Sequence, residues 1–123
     1  MQHSPAFLKL VNEAKAQIKE CNVFDLKQML DHNTLDGLII DVREESEYAK
    51  SHIPHATHLS RGTIEVKIET LIPNKHQKMY LYCGGGYRSA LSASSLQKMG
   101  YTNVISVDGG FRAWHENHFE IEQ

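Results

Sequence analysis

The chain has 123 residues, a formal charge of -2 and 41% hydrophobic residues. That length suits one compact domain with a real core and leaves little room for a second. The near-neutral charge gives no electrostatic case for nucleic acid or an anionic membrane as a partner, and no stretch approaches the roughly 20 apolar residues of a membrane span.

Met1 to Leu10 lacks the basic start, apolar run and small-residue cleavage site of a secretory signal. Two cysteines in such a chain suggest a reducing compartment, with the cytoplasm as the expected location.

Strand and helix signals alternate along the chain. Ser4-Pro5 opens a helix, serine as the cap and proline in the first turn, and Phe7, Leu8, Leu10, Val11 and Ala14 follow at helical spacing. Residues 1–17 are read as a helical extension that packs outside the domain or mediates association, and 18–123 as the domain proper. Ile18 to Cys21 is a short strand. Asn22 caps a second helix, with Asp25 in its first turn and Val23, Leu26, Met29 and Leu30 on one face.

Leu38-Ile39-Ile40 is a continuous apolar run ending at Asp41, the pattern of a parallel strand buried on both faces. Its polar C-terminal end lies where open α/β sheets bind ligands. Glu44 to Lys50 is a short helix, Ala56 to Leu59 a short strand and Thr63 to Leu71 a helix. Met79 to Tyr82 is the next strand, with Cys83 at its end. Arg88 to Met99 is a helix closed by Gly100. Val104 to Val107 is the last strand. Asp108-Gly109-Gly110 turns into a helix bearing Phe111 and Trp114, and Glu116 to Gln123 reads as a frayed tail. The whole predicts an α/β domain built on a mainly parallel five-stranded sheet with helices on both faces.

The chemistry concentrates at Cys83-Gly84-Gly85-Gly86-Tyr87-Arg88-Ser89, between a central strand and a helix. Three consecutive glycines let the backbone curl, and a curled loop can aim successive N–H groups inward as an anion nest. The following helix adds its free N–H groups and the positive end of its dipole. Arg88 adds a permanent charge. Such a ring favours a charged sulfur, a persulfide or an attacked oxyanion.

Cys83, Gly86, Arg88 and Ser89 match Cys-x-x-Gly-x-Arg-Ser, and here the chain resembles the rhodanese family at its active-site loop. Three more segments resemble that family in order: Asp41-Val42-Arg43-Glu44 with Glu47-Tyr48, His52-Ile53-Pro54 with Ala56, and Asp108-Gly109-Gly110-Phe111 with Ala113-Trp114. The resemblance covers roughly Ile18 to His118.

The resemblance implies a rhodanese-like fold and sulfur transfer by ping-pong covalent catalysis. Cys83 would attack a small sulfane-sulfur donor such as thiosulfate, and the persulfide would pass its sulfur to cyanide or a thiol. A sulfur-relay protein such as a cysteine desulfurase is the alternative donor. The N–H groups of Gly84 to Ser89 would bind the sulfur and the developing charge, with Arg88 bracing the loop through a carboxylate such as Asp41. No cofactor is implied. The resemblance also implies that a loop of this length serves sulfur transfer, since related phosphatases and arsenate reductases carry one more residue. A third reading, a rhodanese-shaped binding module without catalysis, sits poorly with a retained cysteine.

Two departures stand out. Ser51 and His55 occupy positions where the family usually has glycine, so His55 needs another turn geometry or a left-handed backbone. Tyr87 has two open readings, a shade over the cysteine or a rim aromatic packed on the surface. His52, His55 and His58 recur every third residue, but that spacing does not converge on a metal without further ligands, and no metal site is expected. Cys21 reads as a small apolar filler, Arg43 as a structural ion-pair partner and Arg61 as a solvated charge. Asp108 reads as a turn carboxylate satisfying nearby N–H groups.

Overall fold

Three apolar runs form the middle of the sheet. In the computed structural model, which describes residues 2–123, Leu38–Asp41 is β2, Met79–Tyr82 is β4 and Val104–Asp108 is β5. Lys19–Asn22 is β1, at the far edge beside β5, and the two-residue Thr57–His58 is β3, beside β2. The order is β1-β5-β4-β2-β3 and every pairing is parallel. All residues of β4 are buried, as a strand covered on both faces requires. Register aligns Asp41 with Tyr82, so β2 and β4 end level with each other. Cys83 follows directly at that shared rim.

Among the described residues there are six helices: α1 (Pro5–Lys15), α2 (Val23–Asp31), α3 (Glu45–Lys50), α4 (Ile64–Leu71), α5 (Tyr87–Lys98) and α6 (Gly110–Glu116). On one face Ile64, Ile68, Ala93 and Leu96 pack with Ile40, Leu81 and Val104. On the other Val23, Leu26 and Trp114 pack with Ile39, Tyr80 and Val107. α1 lies against α5, with Val11, Ala14 and Leu91 between them and Phe7 and Tyr87 at the margin. Its cap is as expected, with Ser4 accepting the Phe7 N–H at 3.2 Å. Asn22 and Asp25 complete a reciprocal capping box at the start of α2.

His55 takes the left-handed backbone that a glycine would favour, with φ 71°. Gly100, just past α5, has φ 102°, the ordinary left-handed helix stop.

Two expectations fail. The C-terminal segment is not frayed: the Trp114 indole N–H donates to the Glu120 carbonyl at 2.8 Å, Phe119 packs edge-on against Trp114, and Glu122 bridges His52 through paired backbone hydrogen bonds. Its polar composition concealed this: Phe119 and Ile121 pack on the core from within the segment, while their anchors Trp114 and His52 lie outside it. Asp108 does not satisfy turn N–H groups. Its carboxylate accepts from Lys15 Nζ at 3.1 Å, tying the end of α1 to the rim of the sheet.

Candidate active site

The loop Cys83–Gly86 joins β4 to α5, and α6 decides how its peptides face. Phe111 N–H donates to the Cys83 carbonyl at 2.8 Å and Arg112 N–H to the Gly84 carbonyl at 2.9 Å. The free N–H groups of the first turn of α6 therefore clasp the outer side of the loop. In a trans peptide the C=O and N–H point opposite ways, so the Gly84 and Gly85 N–H groups turn away from α6. Gly110 makes this approach possible. A Cβ there would fall 2.3 Å from the Cys83 carbonyl oxygen, and its φ is +51°. Gly86 has φ 109° and caps α5.

Cys83 is 1% exposed and sits at the floor of the resulting cup. The Gly86 N–H points at its Sγ from 3.1 Å. Among the described residues, the N–H groups of Gly84, Gly85, Tyr87, Arg88 and Ser89 have no acceptor. Beneath the sulfur lie two buried hydroxyls. Ser89 Oγ is 3.6 Å from Cys83 Sγ, and Ser106 Oγ, on β5, is 2.8 Å from Ser89 Oγ.

Arg88 is braced, but not by Asp41. Its guanidinium donates to both oxygens of Glu47 on α3, at 2.8 and 3.3 Å. The same Glu47 oxygen that takes the shorter bond also accepts the Glu44 N–H at 3.0 Å, which fixes the carboxylate. The Arg88 hydrogen bond holds the Glu47 carboxyl below its usual range. Asp41 cannot serve, because it is fully buried and already filled. It accepts from Arg43 N–H at 2.9 Å, from Arg43 Nη2 at 2.8 Å and from the Tyr82 hydroxyl at 2.6 Å. Arg43 in turn donates to the Ser51 carbonyl at 2.7 Å and lies 4.2 Å over the Phe111 ring. Burial, then the Asp41 charge, pushes the Tyr82 phenol above its ordinary value, so it remains a donor. Asp41 and Arg43 thus form a buried support between β2, β4 and α6 rather than part of the cup wall.

Other side chains fall away from the cup. The His52 ring stacks 3.9 Å from the Tyr48 ring, and the His58 ring lies 5.1 Å from it. Arg61 meets Glu65 one helical turn on, at 3.5 Å. Burial, followed by the nearby Asp25 and Glu20 charges, pushes the Cys21 thiol up to about 12.

A cleft of about 530 Å³ opens over Cys83, lined by His3, Phe7, Gly84, Gly85, Tyr87, Arg88 and Arg112. Tyr87 stands on its wall in contact with α1. Glu47, Ser106, Arg112 and the α1 aromatics were not singled out from sequence. Glu47 stood in the quoted Glu-Tyr pair, but nothing in the sequence linked it to Arg88, 41 positions away.

A family model described as Rhodanese-like domain matches residues 22–117, and the chain belongs to the rhodanese-like family. Within it the chain falls in the group of sulfurtransferases and sulfur carriers. It is 35% identical over 103 residues to the "Putative sulfur carrier protein YrkF" of Bacillus subtilis, a match covering 84% of this chain and 54% of that one. The chain thus matches about half the length of that relative. It is 34% identical to a thiosulfate sulfurtransferase, GlpE, of Coxiella burnetii, over 68% of this chain and 76% of that one. The structure of RPA3614 from Rhodopseudomonas palustris, of unknown function and described as a possible tyrosine phosphatase, superposes with a TM-score of 0.87 at 28% identity, covering 99% of this chain and 98% of that one.

Among the described residues, no helix is long and apolar enough to cross a membrane.

Proposed function

We propose that this protein moves sulfane sulfur through a persulfide on Cys83. The observation that carries the reading is the cup: Sγ at its floor, one N–H aimed at it from 3.1 Å, and five further loop N–H groups without acceptors. Cys83 is the nucleophile. With thiosulfate, the thiolate attacks the outer sulfur, the S–S bond to the sulfonate breaks and its electron pair leaves with sulfite. The N–H groups of Gly84 to Ser89 hold the persulfide anion. Cyanide or a thiolate then takes the outer sulfur and restores the Cys83 thiolate. Arg88, fixed by Glu47, supplies rim charge, while Asp41 and Arg43 hold the floor in place.

Thiosulfate as donor is supported by the Coxiella relative's name. The Bacillus relative's name favours a second reading, a carrier loaded by a protein donor such as a cysteine desulfurase. A reducing cytoplasm suits either, since unpaired thiols persist there. The six-residue stretch Cys83–Arg88 supports sulfur transfer over phosphate-ester hydrolysis.

The test compares native protein with Cys83→Ser in three assays: thiosulfate-to-cyanide turnover, sulfur transfer from a cysteine desulfurase, and hydrolysis of p-nitrophenyl phosphate. Sulfur transfer by either route, lost in the serine variant, with negligible ester hydrolysis, is the expected result. Full transfer by Cys83→Ser, or phosphatase activity without sulfur transfer, overturns the reading.

A further inference from the structure

We propose that Ser106 is a positioning residue for sulfur transfer: it aims the Ser89 hydroxyl at Cys83 Sγ and thereby speeds release of sulfur from the loaded protein. This rests on the sulfurtransferase reading and adds a residue to its second half-reaction.

The first observation is a chain of hydroxyls with a dead end. Ser89 on α5 and Ser106 on β5 are both fully buried. Their oxygens lie 2.8 Å apart, and Ser89 Oγ is 3.6 Å from Cys83 Sγ. Among the described residues neither hydroxyl has a further hydrogen-bond partner. Ser92, nearly one turn further along α5, is also fully buried, but its hydroxyl is unpaired, so it takes no hydrogen from Ser106. The chain that starts at the sulfur therefore stops at Ser106.

The second observation is the hydrogen count. A hydroxyl donates one hydrogen and accepts through two lone pairs. When the sulfur is a thiol donating to Ser89, Ser89 donates to Ser106, and the Ser106 hydrogen is left buried with no acceptor. That leaves the desolvation of one O–H uncompensated. When the sulfur carries the charge, Ser106 donates to Ser89, Ser89 donates to the sulfur, and every O–H has an acceptor. A serine on a helix otherwise turns its hydroxyl back to the carbonyl of the preceding turn. Ser89 makes no such bond. Ser106 is held in the middle of β5, paired with Leu81 on one side and Glu20 on the other, and from there it keeps the Ser89 hydroxyl directed at the sulfur.

The step that gains is discharge. In the persulfide the charge sits on the outer sulfur and Sγ is uncharged. The carbon of cyanide bonds to the outer sulfur, the S–S bond breaks, thiocyanate leaves, and the electron pair of the broken bond returns to Sγ. No proton moves. The Ser89 hydrogen bond strengthens as that charge arrives, so it is worth more in the transition state than in the loaded protein. The Gly86 N–H, 3.1 Å away, acts on the same atom directly; Ser106 acts only through Ser89.

The test loads the protein with thiosulfate, or with a cysteine desulfurase, removes the donor, adds cyanide and follows thiocyanate through a single turnover. It compares the native chain, Ser106→Ala, Ser106→Thr, Ser89→Ala and the double variant with alanine at both positions. The rate of the loaded fraction does not depend on how much of the protein is unfolded. Ser106→Ala should slow discharge about tenfold, the lower end for a hydrogen bond to a charged group, while Ser106→Thr, which keeps the hydroxyl, should stay within about threefold of native. In the Ser89→Ala background the Ser106→Ala change should alter the rate by less than about twofold, as a residue acting through Ser89 requires. Unchanged discharge in Ser106→Ala, equal slowing with and without Ser89, or a folded threonine variant as slow as the alanine one overturns this proposal alone. Should threonine not fold in this buried site, the alanine comparison in the two backgrounds decides. No sulfur gain by the native chain from either donor overturns the proposal together with the sulfurtransferase reading.

Discussion

Replacing Gly110 with alanine tests how α6 holds the loop. The new Cβ would lie 2.3 Å from the Cys83 carbonyl oxygen and 3.0 Å from that of Gly84, both backbone atoms. Neither can move without moving the loop. The residue also has φ +51°, and a left-handed alanine costs about 1–2 kcal/mol. Relieving the clash displaces α6 and loses the Phe111 and Arg112 N–H bonds to the loop, about 1 kcal/mol each. The expected loss is about 3–4 kcal/mol, a large part of the stability of a domain this size, with a fall in Tm of about 10–15 °C. Thermal unfolding followed by circular dichroism measures it. Gly62→Ala is the control, since nothing lies within 4 Å of a Cβ there, and its Tm should stay within about 2 °C. A Gly110→Ala protein that melts with the native one would refute the clasp.

Asp41→Asn should destabilise the fold by about 3 kcal/mol in denaturant unfolding, because Arg43, 5% exposed, loses the carboxylate it is paired with; a cost under about 1 kcal/mol would contradict the support role. Glu47→Gln should cost less than about 1 kcal/mol, since both partners of the Arg88 pair keep about a third of their side-chain surface exposed (35% and 37%). Because Arg88 holds the Glu47 carboxyl below its usual range, that pair contributes fully above the ordinary carboxylate pKa and is lost as pH falls through the lowered value. The stability gap between native and Glu47→Gln should therefore be flat near neutral pH and close only on the acid side of about pH 4.5; a gap that closes above pH 6 would be inconsistent with the pair. Cys21→Ser should leave sulfur loading within about twofold of native by mass spectrometry, given a thiol pushed up to about 12.

Most of the framework was readable locally. The runs ending at Asp41 and Tyr82 are buried strands because parallel sheets covered on both faces need continuous apolar residues, and the Ser4 and Asn22 caps were visible as single residues before apolar periodicity. The loop was legible because glycines, an arginine and a helix start stand together in seven consecutive residues. What was hidden depends on long-range pairing. Arg88 finds Glu47, not Asp41, because Asp41 is enclosed by Arg43 and Tyr82, a fact of packing that spacing does not encode. Lys15 reaches Asp108 across 93 positions. The ordered C-terminal segment depends on Trp114 and His52, neither within its polar run.

The most direct test of the central claim is intact-protein mass after incubation with thiosulfate, or with a loaded cysteine desulfurase, before and after reductant, on the native chain and on Cys83→Ser. The account predicts a gain of one sulfur, about 32 Da, removed by reductant and absent from the serine variant. An unchanged native mass with both donors, or the same gain on Cys83→Ser, would contradict it.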